Sequence, residues 1–219
     1  EALCKSLFMG GVTRRFPKLR FAFLEGGVAW ACAQLADQLG HWRKRNASML
    51  GNYDPSALDV DQLEALFTRY AGDRGWSTEE SGWTMRGARG SAVDDWAALE
   101  VESEADLVDL FVPRFFFGCE ADDPMTSMAF NTQINPFGAR LGAMLGSDIG
   151  HWDVPDMTEV LPEVLEPLDK GWIGSEDLRD FVFTNPVRFY TDTNPDFFVG
   201  TAIEDDVRSL LAKDDRRES

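Results

Sequence analysis

Gly142-Ala-Met-Leu-Gly-Ser-Asp148-Ile-Gly-His151-Trp-Asp153-Val-Pro-Asp156 is the stretch whose reading decides the fold. The apolar run Ala143 to Leu145 stops at Gly146 and Ser147; Asp148 follows, with His151 and Asp153 close behind. A run this short fits a buried strand or a turn of buried helix equally well by periodicity. The flanking glycines and the abrupt change to polar residues favour a strand that ends where Asp148 begins. A carboxylate and an imidazole at the C-terminal end of a buried parallel strand stand where α/β enzymes place their chemistry. The plainer reading of the same residues is a strand-to-loop turn in which the aspartate caps the next helix.

Two other stretches repeat the pattern. Leu19-Arg-Phe-Ala-Phe-Leu-Glu25 runs apolar into a carboxylate followed by Gly26 and Gly27. Pro113-Arg-Phe-Phe-Phe-Gly-Cys-Glu120 does the same and is followed by Asp122, Asp123 and Pro124. Three apolar runs that each stop at a carboxylate beside a glycine predict parallel strands whose C-terminal ends, at Glu25, Glu120 and Asp148, face a common site. A carboxylate at the end of a buried strand also needs an ion or hydrogen bonds to compensate its charge.

Between these runs the sequence reads as helices. Ala2, Leu3, Leu7 and Phe8 have helical spacing, and Gly10-Gly11 offer a C-cap. A chain that opens inside an element, at Glu1, reads as a piece of something longer. Arg14 to Lys18 read as a basic turn. Ala29 to Arg45 place Leu35, Leu39 and Trp42 on one face, and His41 on this helix reads as a solvated histidine. Ser103 and Asp106 stand in a capping-box relation, with Leu107, Leu110 and Phe111 facing inward. Pro124 to Arg140, Thr158 to Leu168 and Ser175 to Phe183 are expected helices. Asn185-Pro186 is expected to break the last of these, and the charged stretch from Glu204 to Ser219 reads as a frayed surface helix. Alternating strands and helices with buried strand runs give an α/β class with a parallel sheet.

A βαβ repeat takes roughly 30 residues. Glu120 and Asp148 are about that far apart, whereas Glu25 and Glu120 are about three times as far, so about 60 residues are inserted. The insertion, 47–101, holds a helix from Val60 to Tyr70 and a Gly/Ser/Trp-rich part. It is expected to act as a lid or an oligomer contact in a homo-oligomer, with Trp76, Trp83 and Trp96 as packing anchors. Three visible strands make an incomplete sheet with apolar faces and two unpaired edges.

Composition bounds the function. The hydrophobic share of 44%, with 16 Phe and 7 Trp, is ample for a core. A formal charge of −17 argues against nucleic acid and anionic membrane surfaces as partners. Cys4, Cys32 and Cys119 lack metal-ligand spacing and read as reduced, buried thiols of a cytoplasmic protein. No stretch has the length and apolarity of a membrane span.

Residues Arg15-Phe-Pro-Lys-Leu-Arg-Phe-Ala-Phe-Leu-Glu-Gly-Gly-Val-Ala-Trp30 resemble the sixth strand and helix of the amidohydrolase-related family, in the branch that contains aminocarboxymuconate-semialdehyde decarboxylase. Met144-Leu-Gly-Ser-Asp148 is similar to that family's eighth strand. Asn185-Pro-Val-Arg-Phe-Tyr190 resembles its closing Asn-Ala-x-Arg-Leu-Tyr helix. The resemblance covers residues 1 to about 200 apart from the insertion, and it rests on the order and spacing of these motifs more than on any one of them.

The resemblance implies a (β/α)8 TIM barrel of which 1–219 is the C-terminal part, holding strands six to eight, with the N-terminal half of the barrel as its partner. It implies a metal-dependent hydrolase acting on a carbonyl-containing small molecule, with zinc expected first and manganese or magnesium as alternatives. Asp148 matches the family's strand-eight aspartate, a metal ligand and general base. Glu25 stands where many members carry a strand-six histidine, so it is a candidate catalytic group and metal ligand with harder, oxygen-donor character. His151 is a candidate to orient Asp148 or to protonate the product. The family's His-x-His pair on strand one and its strand-five histidine have no counterpart here, and Glu120 matches no catalytic residue. Two alternatives stand beside the hydrolase: a non-oxidative decarboxylase (a lyase) of the same family, and a non-catalytic barrel acting as a structural or interaction subunit.

Overall fold

The computed structural model describes residues 1–52, 54, 57–71 and 94–218. Trp76 and Trp83, expected as packing anchors, lie outside the described residues. The chain is mixed α/β around a three-stranded parallel sheet in the order β1 (Phe21–Phe23), β2 (Phe115–Cys119), β3 (Gly142–Leu145). The register sets Phe21 beside Phe115 and Phe117 beside Ala143. All three strands therefore point their C-terminal ends the same way, as the three apolar runs require.

One face of the sheet packs against α1 (Ala2–Met9), α3 (Ala29–Arg45) and α5 (Glu104–Phe111), with α2 (Val12–Arg15) in contact with α5, while α4 (Val60–Ala71) belongs to the insertion. Strand side chains alternate between faces, so Phe115, Phe117 and Cys119 point into this layer, and all three are fully buried. Phe8 and Phe111 meet edge-on with ring centroids 5.3 Å apart, and Phe111 lies 5.0 Å from Phe115. Each such ring contributes about 1.5–3 kcal/mol by leaving water. Trp96 and Leu99, at the end of the inserted segment, belong to the same core, so that end of the insertion is part of the domain's packing. The three cysteines are free and buried, as their spacing predicts.

Local chemistry explains the helix ends. Ser103 Oγ accepts the Asp106 amide at 3.3 Å, and Asp106 returns a carboxylate oxygen to the Ser103 amide at 2.8 Å. The expected capping box of α5 is present. The amides of Glu102 and Ser103 hold the Asp106 carboxyl below its ordinary range. His41 is an exposed residue whose Nε2 lies 3.6 Å from Asp37 one turn earlier, in keeping with a solvated role.

The second face is covered, contrary to the bare sheet expected from three strands. After α6 (Val160–Asp169), α7 (Ser175–Arg179) runs through a π turn (Asp180–Thr184) into α8 (Asn185–Thr191). Asn185 Nδ2 donates to Ala143 O at 2.9 Å. Phe189 packs edge-on against Phe116 of β2 at 5.3 Å. At its far end, Asp192 accepts from Arg20 Nε at 2.8 Å, just before β1. Helix α8 thus crosses the sheet from the β3 side to the start of β1. The sheet lies between two helical layers, while its β1 and β3 edges carry no further strand among the described residues.

Four expectations need correction. Arg14 to Lys18 do not form a plain turn: Gly11, at φ 67, starts the short helix α2. Residues 124–140 form two 3-10 turns, Pro124–Phe130 and Pro136–Gly138, in place of one α-helix. Asn side chains there take over backbone groups that a helix would use. Asn135 Nδ2 donates to Met128 O and Ala139 O, and Asn131 Oδ1 accepts the Gln133 amide. Pro186 does not end its helix, because the π turn accommodates a residue without an amide hydrogen. The C-terminal helix α9 (Glu204–Glu218) is anchored over its first half: Val207 and Leu210 are buried with Val187 in a second small core. Among the described residues no helix is long and apolar enough to cross a membrane.

Candidate functional site

At the C-terminal end of the sheet lies a pocket of about 300 Å³. Its apolar lining is Leu24, Met144, Leu145, Pro186 and Tyr190, and its carboxylates are Glu25, Glu120 and Asp148. The three strand-ending carboxylates picked out in the sequence therefore share one cavity.

Backbone geometry places them. Glu25 and Asp148 both adopt left-handed backbone conformations, with φ of 62° and 50°. Such residues cost roughly 1–3 kcal/mol each and cluster at functional sites. Gly118 in β2 lets the first of these turns close down on the sheet: a Cβ there would stand 3.1 Å from Leu24 Cα. Gly27 is fixed more tightly. It has φ 65°, its amide donates to Gly118 O at 3.1 Å, and a Cβ would lie 2.7 Å from Asp123 Oδ2.

After β3 the chain folds into two consecutive turns. The His151 amide donates to Asp148 O at 3.1 Å and the Val154 amide to His151 O at 3.3 Å. These turns gather Asp148, His151 and Asp153, whose candidate ligand atoms all lie within 4.8 Å of one another. His151 Nδ1 is 2.8 Å from Asp148 Oδ1, with the Asp148 side chain 19% exposed and His151 58%. The expected pairing of His151 with Asp148 is present in this geometry. Asp153 was quoted in the sequence without a role, and only the turn brings it into the group.

Glu25 sits apart from that group. Its carboxylate is not among the three clustered ligand atoms, and the residue is exposed at the pocket rim. The anticipated cost of burying this charge does not arise, because water solvates it. The buried Cys119 thiol also borders the pocket, but burial pushes it up to about 12, so it is a protonated, packed side chain with no thiolate character. Tyr190 was not singled out in the sequence beyond its motif. It reaches the pocket because α8 lies over the sheet, and its ring is stacked on Phe197 at 4.3 Å and 12°.

The rim is strongly negative. Partial desolvation, then the charges of Asp122, Asp148, Asp153 and Glu25, raise the Glu120 carboxyl above its ordinary range. The folded protein then binds the Glu120 proton more tightly than the unfolded chain does. The ionised carboxylate costs stability above its folded-state pKa, and the cost is relieved as pH falls through it. In metal-free protein Glu120→Gln is expected to melt at a higher temperature than the wild type at pH 7, with the gap shrinking toward pH 4. Thermal denaturation at the two pH values checks this; a variant that melts lower at pH 7 contradicts it.

Two carboxylate oxygens and one imidazole nitrogen form a donor set suited to a divalent ion with open coordination positions. Comparisons of the chain with protein-family models, with curated proteins and with solved structures give no match.

Proposed function

We propose that this chain is part of a metal-dependent hydrolase of the amidohydrolase-related type, acting on a carbonyl-containing small molecule. The observation that carries the reading is the Asp148–His151–Asp153 group, whose Asp148 lines a pocket at the C-terminal ends of parallel strands. Asp148, His151 and Asp153 would hold the ion, zinc being the best match to a mixed nitrogen and oxygen set, with manganese also suited. When bound, such an ion polarises a carbonyl and acidifies water. Asp148 is the general base: its carboxylate stands at the pocket wall, able to take a proton from water above the apolar floor. His151, 2.8 Å from Asp148 Oδ1, fixes the orientation of that carboxylate. Glu25 and Glu120, at the rim, shape the electrostatics of what approaches.

The fold side of the proposal is that β1, β2 and β3 are strands six to eight of a (β/α)8 barrel. The parallel order supports it, as do the β1 and β3 edges, which carry no further strand among the described residues. Helix α8 covers the face bearing Phe116 and Met144, and it brings Pro186 and Tyr190 to the same pocket.

The test is metal content. Protein stripped with a chelator, dialysed against zinc and then against buffer, is expected to keep about one ion per chain by atomic emission. Retention of none, in protein with native circular dichroism, removes the hydrolase reading and leaves the structural-subunit alternative.

A further inference from the structure

We infer that the pocket selects a compact, positively charged ligand: a primary amine or amidine whose cationic head meets the carboxylate rim while its apolar body rests on Leu24, Met144 and Tyr190. The inference rests on the same pocket as the proposed hydrolase and names the substrate class that pocket would take.

Three observations carry it. The first is the division of the cavity into an apolar part, made by Leu24, Met144, Leu145, Pro186 and Tyr190, and an acidic part, made by Glu25, Glu120 and Asp148. Small-molecule sites are mostly apolar with a few polar groups that fix orientation. Among the described residues every charged group that lines the cavity has the same sign, with no Lys or Arg in the lining. An anionic ligand would meet only repulsion there.

The second is the amount of charge. Asp122 and Asp153 stand close enough to Glu120 to add to the field of Glu25 and Asp148, so five carboxylates act at one end of the sheet. A single divalent ion at the Asp148 group would leave most of that charge uncompensated. A carbonyl substrate that also bears an ammonium would therefore be drawn in, and a carboxylate-bearing one kept out, with the ion bound or not. The chain's formal charge of −17 reinforces the same preference at longer range.

The third is rigidity and size. Tyr190 is held by its stack on Phe197, and Met144 is buried at 7% exposure, so the apolar wall is formed before a ligand arrives. A cavity of about 300 Å³ is at the small end for ligand sites and suits a body no larger than about one ring. An aromatic wall is also favourable to a cation near its ring.

The experiment uses three probes of equal size and different charge, benzylammonium, benzyl alcohol and benzoate, titrated into the full chain at pH 7 in low salt. Binding is followed by amide chemical shifts in metal-free protein, in zinc-treated protein, and in the Glu25→Gln and Glu120→Gln variants. Benzylammonium is expected to bind most tightly, to weaken as salt is raised, and to weaken about two- to five-fold in each variant, the range for partly exposed charge pairs. Three results overturn the inference: benzoate binding as tightly as benzylammonium, benzylammonium binding that both variants leave unchanged, or no binding of any probe at millimolar concentration. Metal content is read separately on the same preparations. Charge selection without metal retention therefore refutes the hydrolase and keeps the ligand class, and metal retention without charge selection does the reverse.

Discussion

Asp148→Asn is expected, on the proposed hydrolase reading, to retain no divalent ion, or to lower turnover of any substrate found by about 10²–10⁴-fold, while the protein stays folded. The substitution keeps the size of the side chain and replaces one carboxylate oxygen by an amide nitrogen, a poor ligand and no base. The loss should be large because Asp148 is the most shielded member of its group: its side chain is 19% exposed against 58% for His151. Its backbone, at φ 50°, is one that asparagine also tolerates, so the fold should survive. Circular dichroism and thermal melting establish that survival, and atomic emission with a turnover assay gives the result. A folded variant that keeps its ion and its rate removes Asp148 from the site and takes the general-base role with it.

The largest expected effect on stability belongs to Phe117→Ala. Phe117 is fully buried in the central strand. Its ring lies 5.2 Å edge-on from Trp30, and is stacked with Phe23 at 6.2 Å and Phe111 at 6.4 Å. Truncating a buried phenylalanine costs about 3–5 kcal/mol, the lost transfer energy plus the cavity left behind. Domains hold only about 5–15 kcal/mol in total, so the loss is a large fraction of the whole and the variant should unfold at a markedly lower urea concentration than the wild type. Met157→Ala is the contrast: Met157 is 63% exposed, and its loss should stay within about 0.5 kcal/mol. Urea denaturation of the two variants measures both. A Phe117→Ala protein within 1 kcal/mol of the wild type by this assay would mean that the aromatic cluster around β2 does not hold the sheet to its helices.

The strand of Phe117 is legible because strand periodicity is local: a run of phenylalanines bounded by proline and glycine has few other ways to be buried. The same holds for α3, whose bounds match the expected Ala29–Arg45, and for the Ser103–Asp106 capping box, which needs only residues three apart. The convergence of Glu25, Glu120 and Asp148 on one pocket was legible too, because parallel strands in register put their ends on one side.

Other features depend on partners distant in the chain. The stretch 124–140 was expected to hold a helix from its place between two strands, yet Asn131 and Asn135 satisfy backbone groups locally and Pro136 interrupts the ladder, so 3-10 turns win. Nothing in Asn185 to Thr191 announces that this helix lies across the sheet. Its position follows from Asn185 on Ala143, Phe189 on Phe116 and Asp192 on Arg20, three contacts far apart in sequence. Tyr190 enters the pocket for the same reason. Asp153 joins Asp148 and His151 because two successive turns fold the loop back, a geometry that residue spacing leaves open.

By itself, then, the sequence determined the parallel α/β class, the strands, most helices and the end of the sheet that carries the carboxylates. The strands and helices follow from interactions among near neighbours in the chain, and the shared end follows from the strands running parallel. Only the tertiary structure decided which carboxylates share a cavity with which apolar side chains. It also set Glu25 in water at the rim and Asp148 in partial shelter. Solvation and electrostatic coupling depend on distances through space, and those distances are fixed only when the helical layers close over the sheet.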